Sequence, residues 1–184
     1  ARSAIEPLAP AFSFDAVEEE GKLIFRPRGG EAVAEFSEDE LAVDGDDPDC
    51  RFVRAQETEL PVQIALGFTE VAGDFRRATV LSRRLAGESR REAKADLALV
   101  TSDAVAERAA DIWLQDLWAG RERAEFSLPP SYVALSPGDI VDLNYRGRVR
   151  RLEITEAIDA GSRTIKARGI DPEIFNVAAR SPKT

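Results

Sequence analysis

Histidine and methionine are both absent from this 184-residue chain, and cysteine occurs once, at Cys50. Without histidine there is no Ser-His-Asp or Cys-His arrangement and no imidazole to shuttle protons. Zinc sites draw on several Cys or His ligands, and one cysteine does not supply them. Cys50 also has no second cysteine for an intramolecular disulfide. Its neighbours in Asp46-Asp47-Pro48-Asp49-Cys50 are acidic, which disfavours a thiolate, so it reads as an inert residue near a strand start. The lack of any methionine, the initiator included, leads to the expectation that the chain is a segment of a longer protein. No apolar run approaches the ~20 residues that span a bilayer, so membrane insertion is not expected. The opening Ala1-Arg2-Ser3-Ala4 shows no signal-peptide pattern.

Nucleotide-binding glycine patterns are missing as well. Arg28-Gly29-Gly30-Glu31 is a turn without the Lys-Ser/Thr that would open a phosphate-binding helix. Acidic residues remain as possible chemistry, since a glycosidase needs only two carboxylates across a cleft. Nothing in the sequence pairs two of them, however, and no catalytic, cofactor-binding or metal-binding residue is assigned. Asp44-Gly45-Asp46-Asp47-Pro48-Asp49 resembles a calcium loop only superficially, because its Gly comes too early and no bidentate Glu follows at the required distance. The expectation is a chain that is not an enzyme and carries no cofactor.

What is present is ordinary for a folded domain: 43% hydrophobic residues and 32% charged. Twenty-one of the 25 basic residues are Arg. The net charge of −9 is unevenly spread. Residues 1–60 hold 16 acids against 6 bases, whereas residues 61–184 hold 18 against 19. The acidic surplus sits in Glu18-Glu19-Glu20, in Glu35 to Glu40, and in Asp44 to Asp49. Such a surface repels phosphate backbones, so direct sequence-specific nucleic-acid binding is not expected. The second part carries Arg doublets at Arg76-Arg77, Arg83-Arg84 and Arg90-Arg91, and alternating Arg146, Arg148 and Arg150. On a strand that alternation sets three guanidiniums on one face, either balanced by nearby carboxylates or docking an acidic partner. No aromatics interleave with them, so a platform for stacking single-stranded nucleic acid is not expected.

Alternation and turn signals predict strands at 12–17 and 22–26, joined through Gly21, and a second short pair at 32–36 and 40–43. Further strands are expected at 52–55, 60–68, 78–84, 96–100, 123–128, 132–135, 140–144, 148–156 and 164–169. One helix is predicted over 102–119, with Ser102 as N-cap, Asp103 at the positive end of the dipole and Gly120 ending it at C′. Val105, Ala109, Ile112, Trp113 and Leu117 recur at helical spacing as its apolar stripe. Ser136-Pro137-Gly138-Asp139 has the residues of a type II turn. The fold class is therefore mainly β (α+β): a small β-barrel or sandwich carrying one long helix, preceded by a small acidic segment. The expected division is 1–50, a small acidic α+β hairpin segment; 51–176, a barrel-like domain; and 177–184, a loose tail.

Residues 66–171 resemble a tail-protein family of long-tailed phages and gene transfer agents. The resemblance is carried by Gly67-Phe68-Thr69, Asp74-Phe75, the 104–121 helix, Phe126-Ser127-Leu128-Pro129-Pro130 and Leu135-Ser136-Pro137-Gly138-Asp139-Ile140-Val141. Upstream, Leu8-Ala9-Pro10-Ala11-Phe12-Ser13-Phe14-Asp15 and Gly21-Lys22-Leu23-Ile24-Phe25-Arg26 resemble the small segment that precedes the barrel in hub proteins. The resemblance implies a non-catalytic component of a tail tip or baseplate hub, part of the large polypeptide sometimes called the megatron protein. It implies a tail of a virion or phage-like particle assembled in the bacterial cytoplasm, with other tail or baseplate proteins as partners and a homotrimeric ring adapting tube to tip around the DNA exit path. Two other readings stay open: an envelope- or glycan-binding module, for which only two Trp and two Tyr are present, and a carboxylate hydrolase.

Overall fold

The structure, a computed structural model, describes residues 5, 8–19, 21–44, 47–48, 50–85, 87, 89–160 and 162–176. The predicted tail 177–184 lies outside the described residues. A short helix α1 (Leu8–Phe12) leads into the antiparallel hairpin β1 (Phe14–Glu19) and β2 (Lys22–Pro27). The expected strand therefore starts two residues late, because Phe12 closes the helix and Ser13 turns the chain at a φ of 53°.

Two larger sheets follow. Strands β7 (Pro61–Glu70), β8 (Arg77–Arg83) and β9 (Arg91–Thr101) form one, in the order β8-β7-β9, with β9 parallel to β7. Within the Arg-doublet region Arg77–Arg83 is strand, and the next strand begins at Arg91. The other sheet has the order β3-β11-β12-β13-β10-β6. Its members are β3 (Ala34–Ser37), β6 (Cys50–Arg54), β10 (Glu122–Leu128), β11 (Ile140–Tyr145), β12 (Arg148–Ala160) and β13 (Ser162–Gly169). The two-residue strands β4 (Val43–Asp44) and β5 (Asp47–Pro48) pair with each other.

The six-stranded sheet is strongly curled. Tyr145 on β11 and Phe52 on β6 are four strands apart in the order, about 19 Å in a flat sheet, yet their ring centroids lie 5.5 Å apart. The end strands β3 and β6 do not pair, so the barrel is not closed and the arrangement is sandwich-like. Phe36, Phe126, Leu128, Leu143, Leu152 and Ile165 fill its interior. The pairing expected between 32–36 and 40–43 does not form. Glu38–Glu40 winds into a 3-10 turn, since the Ser37 backbone N–H and hydroxyl both donate to Glu40 Oε2, at 2.8 and 2.9 Å. β3 instead pairs with β11, in parallel.

The predicted helix is α2 (Asp103–Ala119), and Ser102 has the extended backbone of an N-cap, although its side chain accepts no capping hydrogen bond. The apolar stripe is rotated from the expected one. Ala106, Ala109, Ala110, Leu114 and Trp118 are buried against the three-stranded sheet, while Val105, Trp113 and Leu117 are only half-buried. The rotation arises because α2 is covered on two sides: Ile112 turns away to pack with Ile140, Ile170, Ile174 and Phe175. Trp118, not Trp113, is the anchored tryptophan, its Nε1 donating to the Pro61 carbonyl at 2.8 Å with Arg84 stacked 4.3 Å from its ring. Gly120 ends the helix with an ordinary φ of −75°, not the left-handed one of a C′ glycine. A Cβ there would meet Arg168 Nη1 at 3.1 Å, so close approach is what the glycine permits.

Two turns follow the sequence closely. Gly138 has a φ of +90° and Asp139 N–H donates to Ser136 O at 3.0 Å, as a type II turn requires. Arg146 and Gly147, both at positive φ, make the two-residue connection between β11 and β12.

Candidate functional site

A charged junction joins the N-terminal hairpin, the long helix and the six-stranded sheet. Arg28, just past β2, donates to both carboxylate oxygens of Asp15 on β1, at 2.7 and 2.6 Å. Its Nη1 also lies 3.9 Å from Asp116 on α2. Arg168 on β13 reaches the same Asp116 oxygen at 3.0 Å and holds Glu153 on β12 at 2.6 Å. Arg26 on β2 donates to Asp139 of the type II turn at 2.6 Å. Gly29 lets the chain pass beside the short 3-10 turn Pro172–Ile174, for a Cβ there would lie 2.6 Å from Phe175.

Asp116 and Glu153 are buried, and Asp116 Oδ1 has no hydrogen-bond partner. In such surroundings each guanidinium is fixed by its carboxylates. The Asp15 hydrogen bond raises the pKa of Arg28, against the opposing effect of burial. Burial pulls the Arg168 pKa down, but Asp116 and Glu153 outweigh it and hold it above the ordinary value. A 140 Å³ cavity lies here, bounded by Asp15, Arg26, Arg28, Asp139 and Glu153. Asp15, Asp139 and Glu153 are each paired with an arginine, and Glu31 also lines the cavity. The paired charges tie hairpin, helix and sheet together, an arrangement that suits cohesion.

The outer surface of the curled sheet carries two further concavities. One, of 400 Å³, is lined by Glu35 on β3, Glu40 in the 3-10 turn, Asp142 and Asn144 on β11, and the exposed Val149 on β12. Asp142 is paired bidentately with Arg151, at 2.8 and 2.7 Å, which lowers its pKa. The Ser37 backbone N–H, with Tyr132 and the Ser37 hydroxyl, lowers that of Glu40. The other concavity, of 540 Å³, is bounded on β6, β10 and β13 by Arg51, Val53, Arg123, Glu125, Lys166 and Arg168.

Several residues singled out in the sequence fall elsewhere. Cys50 opens β6 and packs half-buried against the core. Of the acidic 44–49 loop, Gly45, Asp46 and Asp49 lie outside the described residues, as does Glu20 of the acidic run at 18–20. Arg146, Arg148 and Arg150 do not share one strand face. Arg146 is in the turn, 5.2 Å over the Tyr145 ring, and Arg150 is bound to Glu122 at 2.6 Å. Among the described residues no three His, Cys, Asp or Glu side chains converge as metal ligands, and no helix is long and apolar enough to cross a membrane. The junction itself is not legible in the sequence; Asp116, an acid one turn after the buried Ile112 on α2, is its one local sign.

Comparison with known proteins gives one consistent result. The model of a family described as "Putative phage tail protein" matches residues 1–157. No curated protein sequence matches the chain. A chain in the virion of a native gene transfer agent particle is 30% identical and superposes with a TM-score of 0.90, over 100% of this chain and 42% of that one. The tail protein from Neisseria meningitidis MC58 is 12% identical with a TM-score of 0.59, over 91% of this chain and 54% of its own. The 43 kDa tail protein of prophage MuSo2 from Shewanella oneidensis is 14% identical with a TM-score of 0.55, over 96% and 54%. The latter two share the fold. The chain spans about half the length of each of these solved chains.

Proposed function

Because the chain belongs to this phage tail protein family, we propose that it is a non-catalytic structural element of the hub at a tail tip or baseplate. In this reading several copies, three by the resemblance noted in the sequence, surround the DNA exit path and adapt the tail tube to the tip. Other tail and baseplate proteins are its partners, in a particle assembled in the bacterial cytoplasm. The observation that carries the reading is the superposition over the full chain onto a gene transfer agent virion chain, at 30% identity. The charged junction supports it physically. A hub bears mechanical load, and partly buried ion pairs that tie hairpin, helix and sheet together oppose their separation. We divide the work at residue 50, with residues 1–50 as an acidic front segment and 51–176 as the load-bearing body.

The acidic surplus has a use in this position. DNA sliding past carboxylates forms none of the counterion-releasing contacts that a basic lining would make. Glu18–Glu20 or Asp44–Asp49 would then face the lumen. Replacing these acids by Lys in particles assembled from the whole tail should slow DNA delivery without blocking assembly. Normal delivery by such particles would contradict the lumen assignment.

A further inference from the structure

The two hollows on the outside of the curled sheet differ in how far their charges are answered. On the acidic flank, at β3 and β11, Asp142 is bound to Arg151, which also attracts Glu35, and Glu40 is held by Ser37 and Tyr132. The 540 Å³ hollow on β6, β10 and β13 is basic, with Arg51, Arg123, Lys166 and Arg168 against the single acid Glu125. Lys166 is bound to Glu156 at 2.8 Å and Arg168 to Glu153 at 2.6 Å. Arg51 and Arg123 are exposed, and neither makes an ion pair or a side-chain hydrogen bond among the described residues. Arg51 stands opposite Glu125 and Val53 opposite Arg123, so alternation puts all four on one face. Glu125 is shared with Lys166 on its other side, which leaves two unpaired guanidiniums beside one shared acid. Val53, 50% exposed, lies among them.

β6 is also an end strand, paired only with β10 among the described residues. The Ala55 N–H donates to the Arg121 carbonyl at 2.9 Å, so the alternating phase of an antiparallel pair turns the backbone groups of Val53 and Arg51 toward β10 as well. Those of Phe52 and Arg54 point to the free edge and have no partner among the described residues.

We propose that this flank docks an extended acidic segment of a partner protein, which adds as a strand to the free edge of β6 and sets its carboxylates against Arg51 and Arg123. The recognition belongs to the chain alone and does not depend on the ring reading. Main-chain bonds to Phe52 and Arg54 supply attachment, and alternate side chains of the added strand supply selectivity. The added strand would lie ~4.8 Å from β6, which brings carboxylates on its outer face within reach of Arg51. Arg123, one strand further in, extends its long side chain toward the same acids, and guanidinium–carboxylate bonds are among the stronger ones. Val53 gives that face an apolar contact. Charge selects the occupant. β6 carries Arg51 and Arg54 and no acid, so a second β6 edge is repelled and an acid-bearing strand is drawn in. Duplex DNA would satisfy the guanidiniums but offers the outward backbone groups of Phe52 and Arg54 no strand to pair with.

The test is binding of a short labelled synthetic peptide, alternating Glu and Val, to the whole 184-residue chain, read by fluorescence anisotropy across a range of salt. Binding should saturate and weaken as salt rises, and the same peptide with Lys in place of Glu should not bind. Arg51→Glu combined with Arg123→Glu should weaken it about tenfold or more, because like charges then face each other. The same charge change at two other exposed arginines, Arg83→Glu with Arg90→Glu, should leave it unaltered. Methylating the peptide's backbone nitrogens along its pairing edge should also weaken binding about tenfold or more, and this arm leaves the protein itself untouched. Bound peptide should slow amide hydrogen exchange at Phe52 and Arg54, which a purely electrostatic contact would not do. No binding of the Glu-Val peptide overturns the proposal. So does binding indifferent to Arg51 and Arg123, or binding with unchanged exchange at Phe52 and Arg54. Retention of duplex DNA that depends on these two arginines and that the peptide does not displace would assign the flank to phosphate and overturn it too. The hub reading is judged separately, by whether the wild-type chain is found in the particle tail.

Discussion

The two large sheets bury their apolar faces in different ways. The six-stranded sheet folds over itself and fills the inside with large side chains, so that Phe36, Phe126, Tyr132, Tyr145 and Phe52 meet across it. The three-stranded sheet cannot curl far enough to do this and is covered by α2. There the contact is made by Ala106, Ala109 and Ala110 around Leu114 and Trp118, small residues that let the helix backbone come close. One core depends on bulk and the other on its absence. Ile112 and the Arg168–Asp116–Arg28 link connect them, so the helix is shared between the two.

The sharpest break should come from deleting bulk in the curled sheet. Phe126→Ala, at a side chain 1% exposed, should cost about 3–5 kcal/mol in urea unfolding, through lost burial and the cavity left behind. Next is the shared link. Asp116→Asn should destabilise by about 2–3 kcal/mol, below the full value for a broken buried pair because Arg28 and Arg168 keep Asp15 and Glu153. An unchanged urea midpoint would show that the junction contributes no cohesion. The helix-covered core should respond to addition: Ala110→Leu, at a fully buried position, should cost about 1–3 kcal/mol by overpacking. If it stabilised the protein, the close helix approach would be misread.

The smallest expected effect is on the acidic flank. Arg151 lowers the Asp142 pKa in the folded chain, whereas an unfolded Asp titrates near ~3.9. The ion pair's stabilisation is therefore complete above that unfolded value and fades as pH falls through the lower folded one. With Arg151 substantially exposed, its size should be about 1 kcal/mol or less. Asp142→Asn should flatten this part of the acid limb when urea midpoints are compared between neutral and strongly acidic pH. An acid limb identical to that of the wild type would remove the pair from the account.

Local features of this contrast were legible in the sequence, and the long-range ones were not. Alternation, the Ser136–Asp139 turn and the Arg146-Gly147 bend predicted strands and connections because each is decided by neighbouring residues. The extent of α2 was legible for the same reason, from Ser102 and its alanine-rich periodicity. Its buried face was not, because a helix covered on two sides has two apolar stripes, and Trp113 packs only half-buried against the sheet-facing one. β3 pairing with β11 joins residues about a hundred apart, and Glu38–Glu40 hid it by looking like a turn into a local hairpin. The junction suffers most from this. Arg26 and Asp139 are 113 residues apart, and Arg168 and Asp116 are 52 apart, so in a charge-rich chain no spacing singles them out.

The central claim concerns place: a structural chain around the axis of a phage-like tail. A density map of an assembled tail containing this chain tests it most directly. The account predicts copies ringed around the tube axis at the tip. Copies found away from the tail tip, or absent from the particle, would contradict it.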